Sequence, residues 1–161
     1  MSDEINKLEM QTSKTELAVA ALRDGTVIDH IPAEALFKCV KILGLETTRH
    51  RLTIGNNLES KGMGAKGIIK VADTFFPEEQ LNRIALLAPT AVVNIIRDYA
   101  VVEKRHVTLP EVVVGIVRCN NPKCITNNEP MLTRFTSVAE KPGYIRCLYC
   151  GHTIPNNKAE I

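Results

Sequence analysis

The sequence predicts an α+β fold in two parts: a mixed unit of strand, helix, strand, strand, helix, strand order over residues 1–108, and a small all-β unit over 109–161. Three observations predict it. Two segments with helical periodicity alternate with β-prone runs in the first part. Beyond Val107 the composition turns to short β-prone runs broken by proline and asparagine, with no helical period. Four of the five cysteines fall in that last stretch, in two close pairs.

Residues 1–14 are polar and charged without periodicity, which predicts a mobile tail. In TELAVAALRDGTVIDHIP two apolar runs flank Asp24-Gly25, a strong local signal for a hairpin or tight turn. From Ala33 to Leu45 the polar residues Glu34, Lys38 and Lys41 recur at i, i+4 and i+7, one stripe of a helix that is apolar around the rest. Leu52 and Ile54 then alternate with Arg51 and Thr53, as in a half-buried strand, and GIIKVADTF reads as its neighbour. Pro77 suits the start of a second helix, where Leu81, Ile84, Ala85 and Ala88 form an apolar stripe and Pro89 ends it. TAVVNIIRDYAVVEK supplies the last strand of the first unit. This order is that of a ferredoxin-like split βαβ domain.

The final unit holds only about 50 residues, a size at which an apolar core alone is marginal and a metal or disulfide is usually recruited. Its cysteines are spaced Cys119-x4-Cys124, then x22, then Cys147-x2-Cys150. Two pairs on separate loops, joined through an antiparallel hairpin, place four thiolates around a Zn2+ ion. A closed set of four thiolates leaves no position for water or substrate, so the metal is expected to be structural. A redox Cys-x-x-Cys belongs beside a βαβ pattern, not in a small β segment that has a second pair to offer. His152 is not needed as a ligand, and Cys39 reads as a buried thiol of the first helix.

Composition narrows the function. No apolar run is long enough to span a bilayer, and the polar N-terminus lacks the core of a signal peptide. The expectation is a cytoplasmic protein without a membrane partner, in a compartment where clustered cysteines stay reduced. Twenty basic residues face eighteen acidic ones. Residues 109–161 hold six basic and four acidic residues, and the earlier part is balanced. A zinc-ribbon nucleic-acid-binding protein is the alternative reading, but the chain lacks a dense basic face and a base-stacking aromatic platform, so nucleic acid is not expected as a partner. No catalytic constellation is recognisable: Asp29 and His30 are neighbours in an extended segment and should point to opposite faces. Gly62, Gly64 and Gly67 match G-x-G-x-x-G, yet a strand-like run and not a helix follows them.

The segments GTVIDHIPA at 25–33, TIGNNL at 53–58, GIIK at 67–70, NIIRDYAVVEK at 94–104 and LPEVVVGIVRCNNPKCI at 109–125 occur in that order. Together they closely resemble the aspartate carbamoyltransferase regulatory chain family. The resemblance implies a non-catalytic, allosteric subunit in pyrimidine biosynthesis whose first domain binds nucleotides: ATP as activator, CTP as inhibitor, and UTP alongside CTP. It implies a structural zinc domain that docks the catalytic chain. It also implies regulatory-chain homodimers that link catalytic trimers into a hetero-dodecamer.

Carried over by motif, Asp29 and His30 look like the start of the nucleotide site, with His30 near the phosphates and Asp29 orienting them through a lysine. Lys70 and Lys104 resemble phosphate and ribose contacts. Asn94, Tyr99 and Val101 match the segment that meets ribose and base, and Val19 and Leu22 match the strand beside the base. Without the resemblance, each lysine would read as a solvated surface charge, Tyr99 and Val101 as strand core, and His30 as structural.

Overall fold

The computed structural model describes residues 22–161. The tail, Val19 and all of the first apolar run before Asp24 except Leu22 lie outside the described residues. The first unit is a five-stranded antiparallel sheet of order β2-β3-β1-β4-β5, built from β1 (Gly25–Pro32), β2 (Leu52–Ser60), β3 (Gly64–Ala72), β4 (Val92–Arg97) and β5 (Ala100–His106). Strand β1 lies between β3 and β4 and pairs antiparallel with both. The first four strands therefore have the order expected of the split βαβ arrangement, and a fifth is added at the edge.

One face of the sheet is apolar because side chains alternate along a strand and paired residues share a face. Ile28, Ile69 and Val93 are register partners across three strands, and all are fully buried. Two short helices cover this face, α1 (Leu36–Ile42) and α2 (Glu78–Asn82). Helix α1 follows a 3-10 turn at Ala33–Ala35 and contributes Leu36, Cys39 and Val40. The anticipated stripe of Leu81, Ile84, Ala85 and Ala88 is buried as a set, although its second half is a 3-10 turn at Arg83–Leu86. Phe37 departs from the sequence reading. It shares the polar stripe of Glu34, Lys38 and Lys41, and is 66% exposed.

The last predicted strand is two. TAVVNIIRDYAVVEK folds back at Asp98-Tyr99, both with positive φ (50° and 65°), the conformation that a two-residue hairpin requires. The usual Asn-Gly or Asp-Gly signal is absent. Contacts to the start of β1 hold the turn instead: the Asp98 N–H donates to the Asp24 carboxylate at 3.1 Å and the Tyr99 N–H to the Arg23 carbonyl at 2.9 Å. The pair Asp29-His30 corrects a second expectation. His30 has φ 60°, and the β1–β3 register slips between Ile28 and Ile31, so simple alternation fails there. Gly62, Gly64 and Gly67 lie in or beside the β2–β3 hairpin, and Gly67 packs so tightly on α1 that an added Cβ would sit 2.8 Å from Leu36 Cδ1.

The second unit is a sequential sheet of β6 (Val112–Val114), β7 (Arg134–Ser137), β8 (Tyr144–Cys147) and β9 (Thr153–Pro155). Phe135, Ile145, Ile154 and Val117 fill its core together with three of the cysteines. Leu86 of the first unit joins this core, and Leu109 packs against both clusters.

Candidate metal centre and the open face of the first sheet

Hairpin β7–β8 joins the two cysteine pairs, as the spacing implied. Cys119 and Cys124 lie on the loop before β7; Cys147 ends β8, and Cys150 closes the turn into β9. Their four Sγ atoms all lie within 4.8 Å of one another. Cys119 and Cys150 are 3.6 Å apart, and Cys124 and Cys147 are 3.7 Å apart. A tetrahedron with metal–sulfur bonds of about 2.3 Å has edges of about 3.8 Å, so the donor set fits a tetrahedral thiophilic ion.

Two of the sulfurs have a polar neighbour close by. The His152 N–H is 3.5 Å from Cys150 Sγ, and the Thr126 hydroxyl is 3.1 Å from Cys124 Sγ. The Gly151 N–H returns to the Cys147 carbonyl at 2.9 Å, with Gly151 at φ 78°, which makes the tight knuckle that a two-residue spacing needs. His152 contributes only its main chain within the described contacts.

Burial pushes the Cys119 thiol up to about 12, and burial likewise raises Cys147. At Cys150 desolvation is the largest single effect and raises the thiol, but the hydrogen bonds from the His152 N–H, Asn121, Cys119 and Cys147 together outweigh it and bring it down to about 7. The buried thiols are therefore neutral on their own, and a bound cation is what would favour their thiolate form. Cys39 is separate. It is fully buried in α1, and burial alone raises its thiol to about 12.

Neither helix covers the other face of the first sheet. A cross-strand row runs over it through Lys70 of β3, Val27 of β1, Asn94 of β4 and Lys104 of β5, since each residue is the register partner of the next. Asp29 lies two residues along β1 from Val27, on the same face. The bulge brings the His30 ring to Asp29, with Nδ1 3.6 Å from Oδ2. Lys66 of β3 was not singled out from the sequence, yet its Nζ lies 3.0 Å from Asp29 Oδ1. The alternation GAKGIIK places Lys66 and Lys70 four residues apart, hence on one side of a strand, and that signal could have found it.

Lys70 is 5% exposed, and burial pushes its ammonium below lysine's ordinary range while the Asp29 charge pulls the other way. At the other end of the face Leu22 packs with Ala72, Ile96 and Val27. Val101 is the register partner of Ile96 and is 59% exposed. Tyr99 stands in the adjoining turn, more exposed still. The described candidates from Leu22 to Lys104 thus come together from β1, β3, β4 and β5 and the residues flanking them. A cationic corner at Lys66 and Lys70 faces a half-apolar end at Leu22 and Val101.

Exposed apolar side chains flank the metal ligands. Ile125, Leu148 and Tyr149, each directly adjacent to a ligand cysteine or one residue from it, are all exposed, as is Leu132 on the loop before β7. Among the described residues no helix is long and apolar enough to cross a membrane.

Two family profiles match the chain. Residues 17–108 match the family described as the aspartate carbamoyltransferase regulatory chain, allosteric domain, and residues 111–160 match its metal binding domain. An aspartate carbamoyltransferase regulatory chain of Parabacteroides distasonis is 57% identical over 148 residues, covering 92% of this chain and 95% of the relative. The protein of that description from Phocaeicola vulgatus is 54% identical, covering 89% of this chain and 92% of the relative. The one from the distant Pyrococcus horikoshii is still 49% identical, covering 86% and 93%.

Proposed function

Because the chain belongs to the aspartate carbamoyltransferase regulatory chain family, whose members regulate and do not catalyse, we propose that it binds nucleoside triphosphates on the open sheet face and docks a catalytic chain through its metal-bearing unit. The cross-strand row of Lys70, Asn94 and Lys104, with Asp29, His30 and Lys66 at one end, carries this reading. Lys70 and Lys104 are separated by three interstrand spacings, or about 14 Å, which suits an extended ligand lying across the strands.

A triphosphate at the Lys66–Lys70 corner would meet two ammonium groups, one of them nearly withdrawn from water, where each charge-assisted hydrogen bond contributes about 1.5–3 kcal/mol. Asp29 holds Lys66 in place, and His30 adds a donor beside it. Asn94 and Lys104 face the ribose. Leu22, Tyr99 and Val101, with Val19, surround the base, where main-chain groups distinguish an exocyclic amino group from an oxo group. ATP as activator, CTP as inhibitor and UTP alongside CTP are the effectors assigned to this site, in pyrimidine biosynthesis.

Residues 1–108 form the nucleotide-binding domain in this reading, and 109–161 the docking domain. One Zn2+ per chain, held by Cys119, Cys124, Cys147 and Cys150, stabilises the loops that present Ile125, Leu148 and Tyr149. Regulatory homodimers then join catalytic trimers in a hetero-dodecamer in the cytoplasm. Calorimetry with CTP tests the site: a Lys70→Ala, Lys104→Ala double variant should bind at least about tenfold more weakly, and undiminished affinity would remove the assignment. Co-elution with a catalytic chain, lost when a mercurial displaces the metal, tests the docking.

A further inference from the structure

The chain's last residues lie between the two units and bond to both. The Lys38 Nζ of α1 donates to the Ala159 carbonyl at 3.1 Å, and the Lys41 Nζ to the Ile161 main-chain oxygen at 2.8 Å. Between these two carbonyls, that of Glu160 turns the other way and accepts the Arg118 N–H at 2.8 Å, in an isolated antiparallel bridge. Such alternation is that of an extended strand, whose successive carbonyls point to opposite sides. One edge of this short strap is therefore tied to α1. The other is tied to the residue immediately before the metal ligand Cys119. Ala159 itself is fully buried in the second core, so the strap cannot slide without disturbing that packing.

At its far side α1 meets the site on the sheet. Leu36 is fully buried and lies against Gly67, so closely that no side chain would fit between them. Gly67 follows Lys66, the residue paired with Asp29 at 3.0 Å. The Asn56 amide also donates to the Ala33 carbonyl at 3.2 Å, which fixes the start of the helical segment to β2. A displacement of β3 at Lys66 has to be absorbed by α1, because close-packed groups shift together and do not compress.

We propose that residues 159–161 are a coupling strap, and that Lys38 and Lys41 are positioning residues which make the open sheet face and the Arg118–Cys119 segment respond to each other. The proposal rests on the nucleotide reading above for its effector and on this chain's own contacts for its path. It requires that the strap convert a shift of α1 into a change at the Arg118 amide. Coupling of this kind is a free energy shared between two sites, and it is reciprocal.

The test uses the full, metal-loaded chain and follows amide hydrogen exchange at Arg118 with and without CTP. In the unaltered chain CTP should change the Arg118 exchange rate by about fivefold or more, the lower end of typical allosteric couplings. In a Lys38→Met, Lys41→Met double variant that change should vanish, while CTP affinity by calorimetry and the absorption of a cobalt-substituted four-thiolate centre stay as they were. Lys38→Arg, Lys41→Arg should restore it, because the guanidinium can donate to the same carbonyls. An undiminished CTP response at Arg118 in the Met variant overturns the proposal. If CTP does not bind at all, the nucleotide reading fails, and Lys66→Met replaces CTP as the perturbation. A change at Arg118 that depends on Lys38 and Lys41 then still supports the strap, and one that is indifferent to them removes it.

Discussion

At Lys70 two effects oppose each other, and burial is the larger. With its pKa below the ordinary 10.5, the folded chain releases this proton at a pH where the unfolded chain still holds it. Keeping Lys70 charged therefore costs stability below the folded pKa, and that cost is relieved as pH rises through it toward 10.5. Triphosphate binding needs the charge, so its dependence runs the other way: CTP affinity should fall as pH climbs through the same window. Lys70→Arg, which stays charged, should abolish that alkaline decline, and calorimetry over the window checks both limbs. Gly67 makes a second residue-scale prediction. A methyl there would press on fully buried Leu36, so Gly67→Ala should cost about 1–3 kcal/mol, seen as a lower urea midpoint at unchanged slope.

Among the elements, β6 to β9 are only three or four residues long, too short to hold a sheet without a staple. Cys119→Ser or Cys147→Ser should therefore melt the second sheet, seen as lost amide protection across β7 and β8, while CTP binding to the first unit persists. This element was legible because ligand spacing and domain size are properties of the chain itself. The helices were legible for a similar reason: Leu81, Ile84, Ala85 and Ala88 needed only a period and a bounding proline. What was missed depended on tertiary contacts. Nothing in Asp98-Tyr99 announces a hairpin, since Asp24 and Arg23 hold that turn from the segment just before β1. Alternation also misplaced His30, because a bulge is set by the register of β1 against β3. The pairing of Lys66 with Asp29 spans strands that only the folded sheet brings together, although Lys70 and Lys104 could be named from motif.

For the molecule as a whole, the proposed docking would use the exposed apolar side chains on the metal loops, apart from the open sheet face. Replacing Leu148 and Tyr149 with aspartate should abolish co-elution with a catalytic chain at unchanged metal content, since a large apolar side chain contributes about 1.5–3 kcal/mol when fully buried. A drop in metal content alongside the loss of assembly would count against a docking role. The buried thiol of Cys39 has a different use at this scale. It lies fully inside the first core, on a helix that also bonds the strap, and burial raises its pKa to about 12. A thiol reagent added to the metal-stripped chain should consume four equivalents from the second unit, and the fifth only as fast as the first unit opens. Cys39 is thus a built-in clock: the rate at which an added thiol reagent reaches it reads the opening of the first unit, with no reporter residue introduced into the chain.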